Sequence, residues 1–318
     1  MLSSLSSLAD RNFIVGFLLP TLIAAVLASW LFQGYVFVAP VWEVVRKSDG
    51  LASLTLFVLA VWSLATLLSV FGIQLHRMLE GYFGPLSGEA RSARYKARFG
   101  NEQVVLDGLM RKVDAGEFDR GQYLKRYARF LQDYPLAADY VMPSRFGNVL
   151  SAMETYSLEQ YGADGAALWP RLIAVMPDGY QKVVDGGRAE VDFFVTSVYL
   201  ALALSLLCLV SFAWSAYAQW HDGTPAGWGH LIAGLAFVLA AVMAYEGAII
   251  RARGWGSSVR SAYDMFLSEL AKRLGYEEPL DPQARKAFWT QLSSMVVYAT
   301  PVDAKYRAKP APPPKPGP

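Results

Sequence analysis

Cysteine is almost absent from this 318-residue chain, with Cys208 the sole example. A disulfide within the chain is therefore impossible, and a cysteine-based metal site is excluded. Cys208 lies in an apolar block and reads as a small packed residue. Histidine is nearly as scarce: His76, His221 and His230 are the three present. The topology derived below sets His76 at the opposite membrane face from the other two, which rules out a three-histidine zinc centre. No glycine-rich phosphate loop, His-Glu-x-x-His helix or Gly-x-Ser-x-Gly elbow occurs. Catalytic residues are thus undefined by any motif, an enzyme is disfavoured, and no cofactor, metal or nucleic-acid partner is expected.

Charge is missing from four long blocks. Phe13–Phe32, Leu51–Leu75, Phe193–Trp220 and Gly227–Tyr245 contain no Asp, Glu, Lys or Arg. About 20 such residues at a rise of 1.5 Å match the ~30 Å hydrocarbon slab of a bilayer. Uncharged stretches of this length are rare in soluble helices. The expected fold class is all-α: a four-transmembrane-helix protein with a helical cytoplasmic domain. The first block outlasts the apolar region of a cleavable signal, carries Pro20 in its middle, and lacks a small-x-small site after it. It is read as a span that Pro20 kinks.

Orientation follows from the basic residues. Arg46 and Lys47 are the only two between spans one and two, and the turn His221–Trp228 has none. Span two is followed by Arg77, Arg91, Arg94, Lys96 and Arg98, and span four by Arg251, Arg253 and Arg260. Positive-inside counting makes both basic segments cytoplasmic, so both termini face the cytoplasm. Trp30, Trp42, Trp220 and Trp228 then form an outer aromatic belt. Arg91, Arg94 and Arg98 share a helix face at i, i+3 and i+7, a spacing suited to anionic lipid headgroups; topogenic charge without a ligand is the favoured reading.

The organisation read from these features has five parts. Residues 1–75 are an N-terminal arm and hairpin (spans at about 13–32 and 51–75), and 76–192 a helical cytoplasmic insert. Residues 193–250 form a second hairpin (spans at about 193–217 and 229–250), 251–300 amphipathic helices, and 301–318 a proline-rich disordered tail. In the insert, Asp119 is an N-cap, and Tyr123, Tyr127, Phe130 and Tyr134 line one helix face, expected to cover a core. Pro143 with Ser144 opens a helix running to about Tyr161, with Gly162 at its end. Pro170 and Pro177 bracket a short apolar piece. Ser257 or Ser258 caps a further helix, and Asp281-Pro282 starts the last one.

Pro143-Ser-Arg-Phe-Gly-Asn-Val-Leu-Ser-Ala-Met-Glu-Thr-Tyr156 and Tyr161-Gly-Ala-Asp-Gly-Ala-Ala-Leu-Trp-Pro-Arg-Leu172 resemble a segment of a group of bacterial multi-span membrane proteins. The stretch from Tyr263-Asp-Met-Phe through Trp289 is also similar to that group, and about half of the chain is covered. The resemblance implies a bacterial inner-membrane protein and carries no activity. Read physically, Arg145, Asn148, Glu154, Asp164, Trp169 and Arg171 form a polar cluster of the cytoplasmic domain. Arg145 or Arg171 is expected to pair with Glu154 or Asp164. A polar staple and a pocket for an anionic ligand are both compatible with the set.

Within or beside the spans the ionisable candidates are Glu246 and, at the membrane edge, Asp192. Glu246 is expected to pair with Arg251 or Arg253. Hydroxyls such as Thr55, Ser63, Thr66, Thr196, Ser205 and Ser211 are the remaining polar groups, too few for a monomeric channel. Ala241, Ala244 and Gly247 permit close helix contact between protomers. The functional expectation is a non-enzymatic membrane protein whose cytoplasmic domain serves as an oligomeric scaffold, sensor or effector. Its partners are membrane lipids and a second copy or another protein. A lipid-binding protein or membrane enzyme, and an oligomeric channel, stand as alternatives.

Overall fold

Each charge-free run lies in a long helix. The computed structural model describes residues 11–32, 50–223 and 227–308. Trp42, Arg46, Lys47 and the tail Lys309–Pro318 lie outside the described residues. Described in order are α1 (Arg11–Leu31), α2 (Gly50–Val70), α3 (Gly72–Glu80), α4 (Glu89–Asp114), α5 (Arg120–Asp133), α6 (Arg145–Glu154) and α7 (Tyr156–Tyr161). They continue with α8 (Gly165–Ile173), α9 (Asp178–Asp222), α10 (Trp228–Arg273) and α11 (Pro282–Tyr298). The described residues are all-helical without strands, and α1, α2, α9 and α10 are long and apolar enough to cross a membrane.

The chain divides into two compact units. The first comprises Met1–Glu89, Ser144–Gly147 and Asp185–Ala252; the second comprises Ala90–Pro143, Asn148–Val184 and Arg253–Pro318. These borders depart from the sequence-derived insert of 76–192. Helices α9 and α10 run unbroken through the expected borders, and the tetrapeptide Ser144–Gly147 belongs with the long apolar helices.

In the first unit, α9 and α10 pack through small residues. A Cβ on Gly247 would lie 2.5 Å from the Phe194 ring, and one on Gly234 would lie 3.2 Å from Leu209. Ala241, Ala244 and Ala248 of α10 are buried. Gly234, Ala241 and Ala248 recur every seven residues, the spacing of a left-handed helix pair. Ala241, Ala244 and Gly247, expected to serve contact between protomers, are thus spent inside one chain. Ser205 Oγ donates across the seam to Gly234 O at 2.9 Å.

Pro20 shapes α1. Its ring cannot donate to the carbonyl of Gly16 and would collide with it in a regular helix. The chain responds with a π-helical turn over Ile14–Leu18, in which Leu19 N–H donates to Ile14 O. The break expected at proline is therefore a widened turn preceding it.

The second unit has its own core. Helices α4 and α5 close on Phe99, Leu106, Phe130 and Val141, with Tyr95, Tyr123, Tyr127 and Tyr134 packed against them. Asp119 caps α5 by accepting from Gln122 N–H at 2.7 Å, and Asp281 caps α11 by accepting from Ala284 N–H at 2.8 Å. Phe288, Trp289 and Leu292 of α11 are fully buried. Three local readings are corrected. No helix starts at Ser257 or Ser258, because α10 continues to Arg273. Pro170 lies inside α8, and the expected helix to Tyr161 breaks at Thr155 into α6 and α7. Part of the supposed tail also folds: Tyr306 is buried against Phe288, and Glu277 N–H donates to Tyr306 O at 2.8 Å. An aromatic anchor within Pro301–Ala308 supplies the burial that a proline-rich composition conceals.

Candidate functional site

The polar groups of the first unit gather around Phe146. Ser144 Oγ donates to Glu80 O at the end of α3 (2.9 Å), and accepts from Gly147 N–H (2.8 Å). The hydroxyl thereby caps α6 and ties it to the end of α3. Phe146 is fully buried, with its ring 5.7 Å from the His76 imidazole. Its N–H donates to Tyr245 Oη at 3.4 Å, and Arg145 beside it pairs with Glu246 of α10.

On the other side of Phe146, His76 Nε2 and Asp192 Oδ1 are 2.7 Å apart, joining α3 to α9. Both side chains are largely enclosed, at 17% and 12% exposure. Arg188, one turn earlier on α9, brings Nε to 3.9 Å from the second Asp192 oxygen. Helix α1 approaches here as well: a Cβ on Gly16, inside the π turn, would lie 2.9 Å from Asp192 Cβ. Glycine is needed because the helix backbone itself meets the Asp192 side chain. Arg251 of α10 pairs with Glu190 of α9 at 3.1 Å.

The sequence named Asp192 and Glu246 separately and paired Glu246 with Arg251 or Arg253. The structure gives Glu246 to Arg145, Arg251 to Glu190, and Arg253 to Asp133 at 2.6 Å in the second unit. The expected pairs of Arg145 or Arg171 with Glu154 or Asp164 are not formed. Glu154 stands nine residues after Arg145 on one helix, an axial separation of about 13 Å. Asp164 is instead the N-cap of α8, accepting from Ala167 N–H at 3.1 Å, while exposed Arg171 donates to Ala167 O at 3.2 Å.

The rest of the expected cluster lies in the second unit and fixes turns. Asn148 clasps Met142, accepting from its N–H and donating to its carbonyl, both at 2.8 Å. Gly162 adopts φ +74°, and Asp164 N–H donates to Ser293 Oγ at 2.9 Å. Tyr263 Oη donates to Gly165 O at 3.0 Å, and the Trp169 ring lies 5.7 Å from that of Tyr263. The Tyr-Gly-Ala-Asp-Gly sequence is therefore a turn seated on α10 and α11. Nearby, Tyr156 and Tyr161 both donate to Asp264 Oδ1, at 2.8 and 2.7 Å. Burial, followed by the bond to Asp264, pushes the Tyr156 phenol up to about 12. The same causes raise Tyr161. Burial also lowers the Arg260 guanidinium, which lies over the Tyr156 ring. Arg91, Arg94 and Arg98 stand exposed on α4, with Arg98 over the Tyr95 ring at 5.4 Å.

Chemically, these groups fasten helices. His76 is hydrogen-bonded to Asp192 and covered by Phe146, and among the described residues no serine, threonine or cysteine hydrogen-bonds to it. Hydroxyls along the apolar helices return to carbonyls of their own helix: Thr21 to Phe17, Thr55 to Leu51, Thr66 to Trp62, Ser197 to Phe193. Among the described residues no group of three His, Cys, Asp or Glu could hold a metal ion. No protein-family model matches the chain, and neither a curated protein nor a solved structure is significantly similar to it.

Proposed function

We propose that the chain is a non-enzymatic integral membrane protein, with both termini and the second unit cytoplasmic, that works as a scaffold by assembling with itself or a protein partner. The setting, from the resemblance of the Pro143–Leu172 segment, is a bacterial inner membrane. The observation that carries this reading is the use made of charge beside the apolar helices. His76 with Asp192, Arg145 with Glu246, and Glu190 with Arg251 are joined pairwise. Ionisable groups joined in this way cross-link neighbouring helices, which suits an anchor. Exposed Trp214, Tyr217, Trp220 and Trp228 at the far ends of α9 and α10 suit a bilayer interface.

Native mass spectrometry of the full chain in nanodiscs tests the assembly. A homo-oligomer or a retained protein partner is expected; a strict monomer with nothing bound overturns the scaffold reading. Orientation is tested separately with Asp222→Cys and Lys305→Cys in a Cys208→Ala background, using a membrane-impermeant maleimide. Position 222 should react in intact cells and position 305 only after permeabilisation. The reverse pattern would refute the topology.

A further inference from the structure

We infer that the first half of α4 is a docking surface for the anionic headgroups of the bilayer. The inference rests on the membrane placement proposed above, and not on the scaffold role. A link of eight residues, Gly81–Gly88, joins the end of α3 to α4. That link carries exposed Tyr82 and Phe83, aromatic side chains suited to the headgroup level. The segment Ala90–Asn101 then holds Arg91, Arg94, Lys96 and Arg98 with no acidic residue.

These cations are not matched to carboxylates among the described residues. Arg145, Arg251 and Arg253 are each matched to a carboxylate. On the same hairpin Arg126 is matched to Glu102 at 3.0 Å. Arg91, Arg94 and Lys96 are exposed, and among the described residues none forms a hydrogen bond or ion pair. Arg98 is exposed, with its guanidinium over the Tyr95 ring and without a carboxylate partner. The core face lies beside the three arginines, with Phe99 and Leu106 buried together with α5, and Lys96 falls on the far side of the helix. This cationic face, bounded one turn on by Glu102, which is paired with Arg126, is complementary to a sheet of phosphodiesters. Arginine at i, i+3 and i+7 sets three forked donors along one line.

The test uses the full chain in nanodiscs of phosphatidylcholine with phosphatidylglycerol, read by native mass spectrometry after release. Wild type should retain phosphatidylglycerol. The triple variant Arg91→Gln, Arg94→Gln, Arg98→Gln should lose that retention by on the order of tenfold or more, as removal of three interfacial charges demands. Arg91→Lys, Arg94→Lys, Arg98→Lys should keep most of it. Arg120→Gln, Lys125→Gln, Arg129→Gln, an equal charge loss on α5, should leave it unchanged. Equal retention in wild type and the first variant would overturn the inference. So would an equal loss in the α5 variant, which would make the effect one of net charge. Retention of inorganic phosphate in phosphatidylcholine alone, abolished in the first variant, would replace the lipid by a free phosphate. Circular dichroism of each variant guards against misfolding. Oligomeric state is read in the same spectra, so failure of the scaffold reading is seen independently.

Discussion

His76 Nε2 meets Asp192 Oδ1 at 2.7 Å across 116 residues of sequence, with Gly16 of a third helix against the Asp192 Cβ. One bond thus fixes α3 on α9 where α1 crosses them. Asp192→Ala should lower stability by about 1–3 kcal/mol, the cost of stranding an enclosed partner. His76→Leu added to it should cost little more, because the bond is already gone. Thermal unfolding of both single variants and the double in detergent gives the coupling. Additive effects would show that the pair contributes nothing as a pair.

Arg145 and Glu246 offer the complementary test by exchange. Arg145→Glu or Glu246→Arg places two like charges together and should destabilise the first unit. The double exchange should recover about 1–3 kcal/mol of the summed loss. A double variant no better than the worse single one would mean that the two side chains do not depend on each other.

These two pairs mark where sequence reading stops. The four apolar helices were legible because a charge-free run of about 20 residues has few other uses, and Asp119 and Asp281 were legible because capping obeys a local rule. The Tyr123, Tyr127, Phe130 and Tyr134 face was legible as core from its periodicity, and it does pack against Phe99. Arg145 was not. It begins a helix that reads as part of the insert, and its carboxylate lies 101 residues away. Nearness in sequence favoured Glu154, which the rise of the helix puts out of reach. Gly16 had one available signal: it is the fourth residue before Pro20, whose missing N–H leaves that carbonyl unpaired.

Gly162 should tolerate no side chain. Its φ of +74° disfavours any L-residue, and a Cβ there would lie 2.7 Å from Lys286 O and 2.8 Å from Thr290 Oγ1. Gly162→Ala is expected to cost about 1–3 kcal/mol and to loosen α11. Limited proteolysis should then cut near Asp281 sooner than in wild type. Unchanged cleavage would show that the turn can open without releasing the helix.

Gly247 makes the matching prediction for the hairpin. Gly247→Leu has to displace the Phe194 ring, 2.5 Å from where the new Cβ would stand. The variant should unfold earlier in detergent, by about 1–3 kcal/mol for an overpacked contact. Phe194→Ala in the same chain should return part of the loss. Failure of that rescue would place the cost elsewhere than at the ring.

Alkaline pH should act on the second unit through Tyr156. Its folded value, up to about 12, exceeds the ordinary 10.0 of tyrosine. The folded form therefore holds the proton more tightly. That contribution to stability is complete below pH 10 and is lost as pH rises through about 12. Absorbance of tyrosinate should show a late-titrating phenol that Asp264→Asn moves back toward the ordinary value. No shift in the variant would mean that burial alone holds the proton.

The widened turn at Ile14–Leu18 is equivalent to one residue inserted into a regular helix. At 3.6 residues per turn an insertion rotates everything beyond it by about 100°. The side chains of α1 before and after Gly16 therefore answer to two different angular registers, joined where Asp192 meets the backbone. Deleting a single residue here would turn the remainder of α1 by more than a quarter circle while leaving its hydrophobicity almost untouched. A generic apolar segment of equal length supplies the greasiness of this helix and not its phase, so exchanging the segment tests geometry apart from insertion.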